Sequence, residues 1–129
     1  MAESRREPIV RTVPQPADMN GNGDIFGGWV LSQMDIAGGI TAARRAHGRV
    51  VTVAVTAMTF HLPVYVGDVL CVYAQIGQTG RTSITIHLEA WALRGRGPER
   101  ARVTEGQFVY VAVGDDRRPR PVPKATQEA

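Results

Sequence analysis

One aspartate, Asp35, stands where chemistry could be done, because the stretch around it, GGWVLSQMDIAGG from Gly27 to Gly39, is otherwise uncharged. At helical periodicity Asp35 shares a face with Gly28 and Leu31 before it and with Gly38, Gly39, Ala42 and Ala46 after it. That face is a groove of small side chains. Adjacent glycines inside a helix cost about 1 kcal/mol each relative to alanine, so either a strand or a ligand must approach the backbone closely there. A carboxylate held away from water in such a groove gains basicity, which suits a general base or a nucleophile. The competing role is structural, with Asp35 accepting hydrogen bonds from a neighbouring strand or pairing with a buried arginine.

The entrance to the helix supplies a second component. Gly27 and Gly28 leave the first free N–H groups uncovered, and these donors, with the positive end of the helix dipole, resemble an oxyanion hole. Gly28 and Asp35 are seven residues apart, about 10 Å along a helix axis, so a long substrate or a water must span the gap unless the acid comes from another subunit. The distance favours a shared site. Other chemistries have less support. No Gly-x-Ser-x-Gly elbow is present, and Ser32 has no histidine close in sequence. His47, His61 and His87 lack metal-like spacing with one another or with Cys71, and Cys71 lies in the apolar run VLCVYA, where a small buried thiol is the simpler reading. No metal and no cofactor are expected.

These residues need elements to hold them. Gly28 to Ala46 contains no proline and is rich in helix formers, and Gly48 in the HG that follows suits the left-handed end of a helix. PIVRTV reads as a short first strand. After the helix the period changes to two: Val51, Val53 and Val55 alternate with Thr52, Ala54 and Thr56, and Ile84, Ile86 and Leu88 alternate with polar residues. DVLCVYAQI and RVTEGQFVYVAV complete the set, joined by the tight turn QTGRT and the longer RGRGPER. One long helix followed by meandering strands predicts an α+β domain, an antiparallel sheet around a helix that is apolar, and so buried, around most of its girth. A single domain spans 1–129, with 1–7 and 115–129 as flexible tails. The strand VVTVAVTAMTF is too apolar to remain an exposed edge and should pair with a second copy.

Composition narrows the partners. At 43% hydrophobic and 21% charged, with no apolar run long enough to span a membrane and no signal-peptide pattern, the chain is expected to be cytoplasmic. The net charge of +3 does not imply nucleic acid, because the arginines are scattered and the aromatics few. The tail DDRRPRPVPK is a solvated, proline-stiffened segment, with Arg118 and Arg120 as lesser anion contacts.

The strings NGDIFGGWVLSQMD, HGRVVTVAVTAMTFHLPVYVGDVL and GRTSI resemble the hotdog-fold acyl-CoA thioesterases, in their short, single-domain YciA-like branch, from about Pro8 to Val113. The resemblance implies a five-stranded antiparallel sheet wrapped around one long central helix. It also implies dimers paired through the strand that begins at Val50, active sites at that interface, and further assembly as trimers of dimers. It places Asp35 at the catalytic acid, Gly27 and Gly28 at the backbone that polarises the thioester carbonyl, and Asp24 at the polar loop position before them. The expected activity is hydrolysis of acyl-CoA to free CoA and a carboxylic acid. Two positions depart from the pattern: Thr56 stands where relatives often carry an acid, and Thr59, a substrate-side position, where they often carry Asn or Asp.

The CoA nucleotide needs cations and donors, and TGRTS offers them. Gly80 permits the turn, Arg81 carries charge, and Thr82 and Ser83 carry hydroxyls, although a plain hairpin would look the same. A dehydratase on this fold would want a histidine near the helix entrance, and none lies between Met1 and Ala46. A non-catalytic acyl-CoA-binding regulatory module is the alternative from another functional class; it would not need Asp35.

Overall fold

The structure, a computed structural model, describes residues 7–125; of the tails expected at 1–7 and 115–129, residues 1–6 and 126–129 lie outside the described residues. The chain forms β1 (Val10–Thr12), a short 3-10 turn (Pro16–Asp18), α1 (Gly27–Ala46), β2 (Val50–Phe60), β3 (Val69–Thr79), β4 (Ser83–Leu93) and β5 (Arg100–Ala112). All five strands join one antiparallel sheet in the order β1-β3-β4-β5-β2. This is the predicted α+β hotdog architecture. β4 shows its cause most plainly: Ile84, Ile86, Leu88, Ala90 and Ala92 are buried at alternate positions, which turns one face of the sheet to the helix. α1 meets that face through Val30, Met34, Ala37, Gly38, Ala42 and Ala46.

Three sequence expectations change. The helix is not buried around most of its girth. Ile36 and Ile40 remain exposed because the sheet of a single chain covers one side only.

β2 does not alternate simply. Thr52 pairs with Tyr110, Ala54 with Val109, Val55 with Phe108 and Ala57 with Gln107, which leaves Val53 and Thr56 as bulges. Partners across a ladder share a face. Thr52, Val55, Met58 and Phe60 therefore turn toward α1 with Tyr110 and Phe108, while Val51, Ala54, Ala57 and Thr59 turn outward.

The C-terminal region from 115 is not a free tail as far as 123. The left-handed residue that ends α1 is His47, at φ 56°, and not Gly48. What Gly48 provides is space, since a Cβ there would stand 2.6 Å from Arg120 Nη2. Arg120 donates to the Ala46 carbonyl at 2.8 Å, capping the helix, so it is not placed as an anion contact. Arg45 donates to the Pro123 carbonyl at 2.6 Å, and the Val122 N–H to the Arg81 carbonyl at 2.8 Å, holding the segment across the end of the sheet.

The two edges of the sheet differ in kind. β1 is 3 residues long, whereas β2 is 11 and exposes Val51 (44%), Val53 (54%) and Val55 (41%). A long apolar edge of this sort is a template for pairing.

Candidate active site

Asp35 lies in the middle of α1 against β2 and β5. Its Oδ1 accepts a hydrogen bond from Thr52 Oγ1 at 2.8 Å and lies 2.9 Å from the Tyr110 hydroxyl. The same hydroxyl is 3.1 Å from the Asp35 backbone carbonyl. Among the described residues no donor reaches Oδ2, and no arginine pairs with the carboxylate. Of the two forms of the structural role, pairing with a buried arginine is absent among the described residues, whereas acceptance of hydrogen bonds from neighbouring strands is present and leaves one carboxylate oxygen without a described donor. Burial, then the bond to Asp35, push the Tyr110 phenol well above the usual tyrosine range, so it remains a proton donor.

The small-residue groove beside Asp35 is partly filled. A Cβ on Gly38 would collide with the Tyr110 hydroxyl and stand 2.8 Å from its Cζ, so the close approach that this glycine signals comes from a β5 side chain and not from a ligand.

A cavity of about 260 Å³ opens at the other end of β2, lined by Asn20, Asp24, Gly27, Val30, Phe60 and Thr104 among others. Asn20 builds its rim. The Asn20 side-chain oxygen accepts from the N–H groups of Asn22 (2.8 Å) and Asp24 (3.2 Å), folding the loop before the helix. The Trp29 and Val30 N–H groups return to the Phe26 carbonyl, and no described acceptor takes those of Gly27 and Gly28. The space above Gly27 belongs to the Phe60 ring, 3.2 Å from where a Cβ would be, whereas nothing stands within 4 Å of a Cβ on Gly28. Thr104, 1% exposed, lines the cavity with its hydroxyl unpartnered.

The predicted site residues thus fall into two groups. Gly27 and Asp24 line the cavity, near the Phe60–Thr104 pair of the sheet, with Gly28 the next residue of α1. Asp35 gathers with Thr52 and Tyr110. The Gly80–Ser83 turn lies at this second end, since Ser83 pairs with Val111 next to Tyr110. Within it the Gly80 N–H donates to the Ser83 carbonyl, Thr82 accepts from Ala112, and Arg81 is exposed. Thr104 and Tyr110 are six residues apart on β5, about 20 Å along the strand, while Gly28 and Asp35 are about 10 Å apart along α1. Thr59 joins neither group; it pairs with Glu105 on the outer face. Sequence reasoning missed Asn20, Thr52, Thr104 and Tyr110. Only Gly38 hinted at one of them, by requiring a close neighbour.

The Thioesterase superfamily profile matches residues 22–99, and the acyl-CoA thioester hydrolase YciA of Salmonella typhimurium is 53% identical over 120 residues, covering 91% of this chain and 90% of that protein. The chain belongs to the Thioesterase superfamily. Among solved structures, the hexameric thioesterase y2039 from Yersinia pestis is 54% identical with a TM-score of 0.88, covering 94% of this chain and 98% of its own. A hexameric hotdog fold thioesterase of Campylobacter jejuni is 36% identical with a TM-score of 0.87, covering 92% and 91%.

The outer face of this thioesterase-superfamily sheet carries a feature that sequence spacing hid. His87, Glu89 and Glu105 bring potential ligand atoms within 4.8 Å of one another. Arg102 lies 3.3 Å from Glu105 and 3.9 Å from Glu89, His61 lies 2.8 Å from Glu105, and the Trp91 N–H donates to Glu89 at 3.0 Å. The carboxylates are thus already compensated by cationic and N–H donors, and the cluster is an ion-pair network on the face away from Asp35. No described helix is long and apolar enough to cross a membrane.

Proposed function

We propose that the chain hydrolyses acyl-CoA thioesters to free CoA and a carboxylic acid, at sites completed between two copies. The observation that carries this is the separation just described. The acid and the open N–H groups lie toward opposite ends of β2, whose outer edge is unpaired in the single chain. Antiparallel pairing of β2 with its copy about Val55, its central residue, sets Thr52 of one copy opposite Met58 of the other, and Val50 opposite Phe60. Asp35 of one copy then faces the Gly27–Gly28 end of the other, and neither half is sufficient alone.

In such a site the thioester oxygen accepts from the Gly27 and Gly28 N–H groups, which stabilise the charge that develops as the carbonyl carbon is attacked. Asp35 either takes a proton from the attacking water or attacks directly, forming an anhydride that water then opens; in both routes the CoA sulfur leaves and is protonated. The reaction so written uses only these groups and water, with CoA as part of the substrate. The relatives from Yersinia pestis and Campylobacter jejuni are hexameric, which supports three such dimers per particle here. The primary test is a panel of acyl-CoA thioesters with a thiol-detecting reagent. Saturable release of free CoA supports the proposal; tight binding without release overturns it and leaves a regulatory acyl-CoA binder.

Arg81 gives a sharper expectation. It is exposed on a turn held by backbone bonds, so Arg81→Ala should leave the fold intact and raise KM for acyl-CoA about tenfold, the value of one charge-assisted contact to a phosphate. Hydrolysis of a truncated pantetheine thioester, which lacks the nucleotide, should be nearly unchanged. Equal losses on both substrates would assign Arg81 to the fold instead.

A further inference from the structure

We infer that Tyr110 is a positioning residue that holds the Asp35 carboxylate with Oδ1 anchored and Oδ2 presented to the substrate, and that Gly38 is glycine to admit it. The inference rests on the proposal that Asp35 is the base or nucleophile, and it deepens that proposal by saying which oxygen reacts.

Two hydroxyls from two strands converge on one atom. Thr52 Oγ1 of β2 and the Tyr110 hydroxyl of β5 lie 2.8 Å and 2.9 Å from Oδ1, while among the described residues none reaches Oδ2. Tyr110 has a single proton, shared between Oδ1 and the Asp35 carbonyl at 3.1 Å, so the phenol ties the side chain to its own backbone. A carboxylate anchored from two directions at one oxygen cannot rotate freely, which keeps the other oxygen in a single orientation. The tyrosine is 1% exposed and stacks on Phe108, with ring centroids 6.5 Å apart, so its hydroxyl has little room to move. Gly38 is what makes that place available, because any side chain there would displace the hydroxyl. The adjacent Gly39 has no such duty: a Cβ on it would meet Tyr110 Cε2 at 3.9 Å, an ordinary contact.

The test compares kcat and KM on one acyl-CoA for Tyr110→Phe, Gly38→Ala, Gly39→Ala and Asp35→Asn, and for Tyr110→Phe combined with Asp35→Asn. Tyr110→Phe should lower kcat about tenfold with KM within about twofold, since one hydrogen bond to the reacting group is lost. Gly38→Ala should do the same or more, and Gly39→Ala should match the parent. In the Asp35→Asn background, the residual rate should not fall further on adding Tyr110→Phe, because the phenol acts through the carboxylate. Parent-level kcat in Tyr110→Phe, or the same fractional loss in both backgrounds, would overturn the inference while leaving Asp35 in its role. Full kcat in Asp35→Asn would remove the reading beneath it and the inference together.

Discussion

Asp35→Asn lowers kcat by about two to four orders of magnitude, the usual range for a general acid–base or nucleophilic group, and leaves KM and Tm close to the parent values. The stability half of this expectation comes from the geometry. Asparagine is isosteric, and its amide oxygen can accept from Thr52 and Tyr110 as Oδ1 does. No described arginine or lysine pairs with Asp35, so neutralising it strands no buried charge. If Asp35 were instead only a hydrogen-bond acceptor for the two strands, Asp35→Asn would keep those bonds and leave turnover per folded enzyme unchanged. Acyl-CoA hydrolysis, with thermal melting on the same preparation to show that the variant is folded, separates the two, and a fully active variant would end the catalytic assignment.

The second large effect concerns the edge of the sheet. Val55 is at the centre of β2 and 41% exposed in the single chain. Val55→Lys would bring two like charges together at the two-fold axis and should break the pairing. Light scattering should then report a mass near 14.0 kDa, and kcat/KM should fall at least about 100-fold, since each site loses its complement. The substitution leaves Asp35, Gly27 and Gly28 untouched in their own chain. A monomer that retains full activity would mean that the two ends of β2 need not meet, and the composite site would be wrong.

Much of this architecture was legible in the chain. β4 announces itself because its alternation is unbroken, and α1 because nineteen residues pass without proline before HG. β2 was legible as a strand but not in its facing, since the bulges at Val53 and Thr56 arise from its register with β5 and no local pattern marks them. Gly48 reads as a helix stop, yet its reason is the guanidinium of Arg120, 72 residues later in the chain. That same contact turns a charged, proline-rich segment, which composition marks as free, into part of the helix cap.

The site shows the same division. Asp35 and the glycines at the helix entrance are neighbours in sequence and could be found by spacing. Tyr110 is 75 residues from Asp35, and its period-two strand says only that it is buried. The groove of small residues signals a close approach, and at Gly38 there is one. Whether a strand or a ligand came close could be decided only by the fold, which puts a tyrosine there.

The composite site is tested most directly by mixing two inactive variants. Asp35→Asn removes the acid, and Gly28→Val is meant to cover the open N–H groups, at a position where an added Cβ meets nothing within 4 Å. Each alone should be nearly inactive. In a mixed dimer one site inherits both lesions and the other neither, so random reassortment, with half the dimers mixed, should restore about a quarter of the parent activity. Activity that stays at the level of the separate variants after verified subunit exchange would place acid and N–H donors of each site in one chain, contradicting the account.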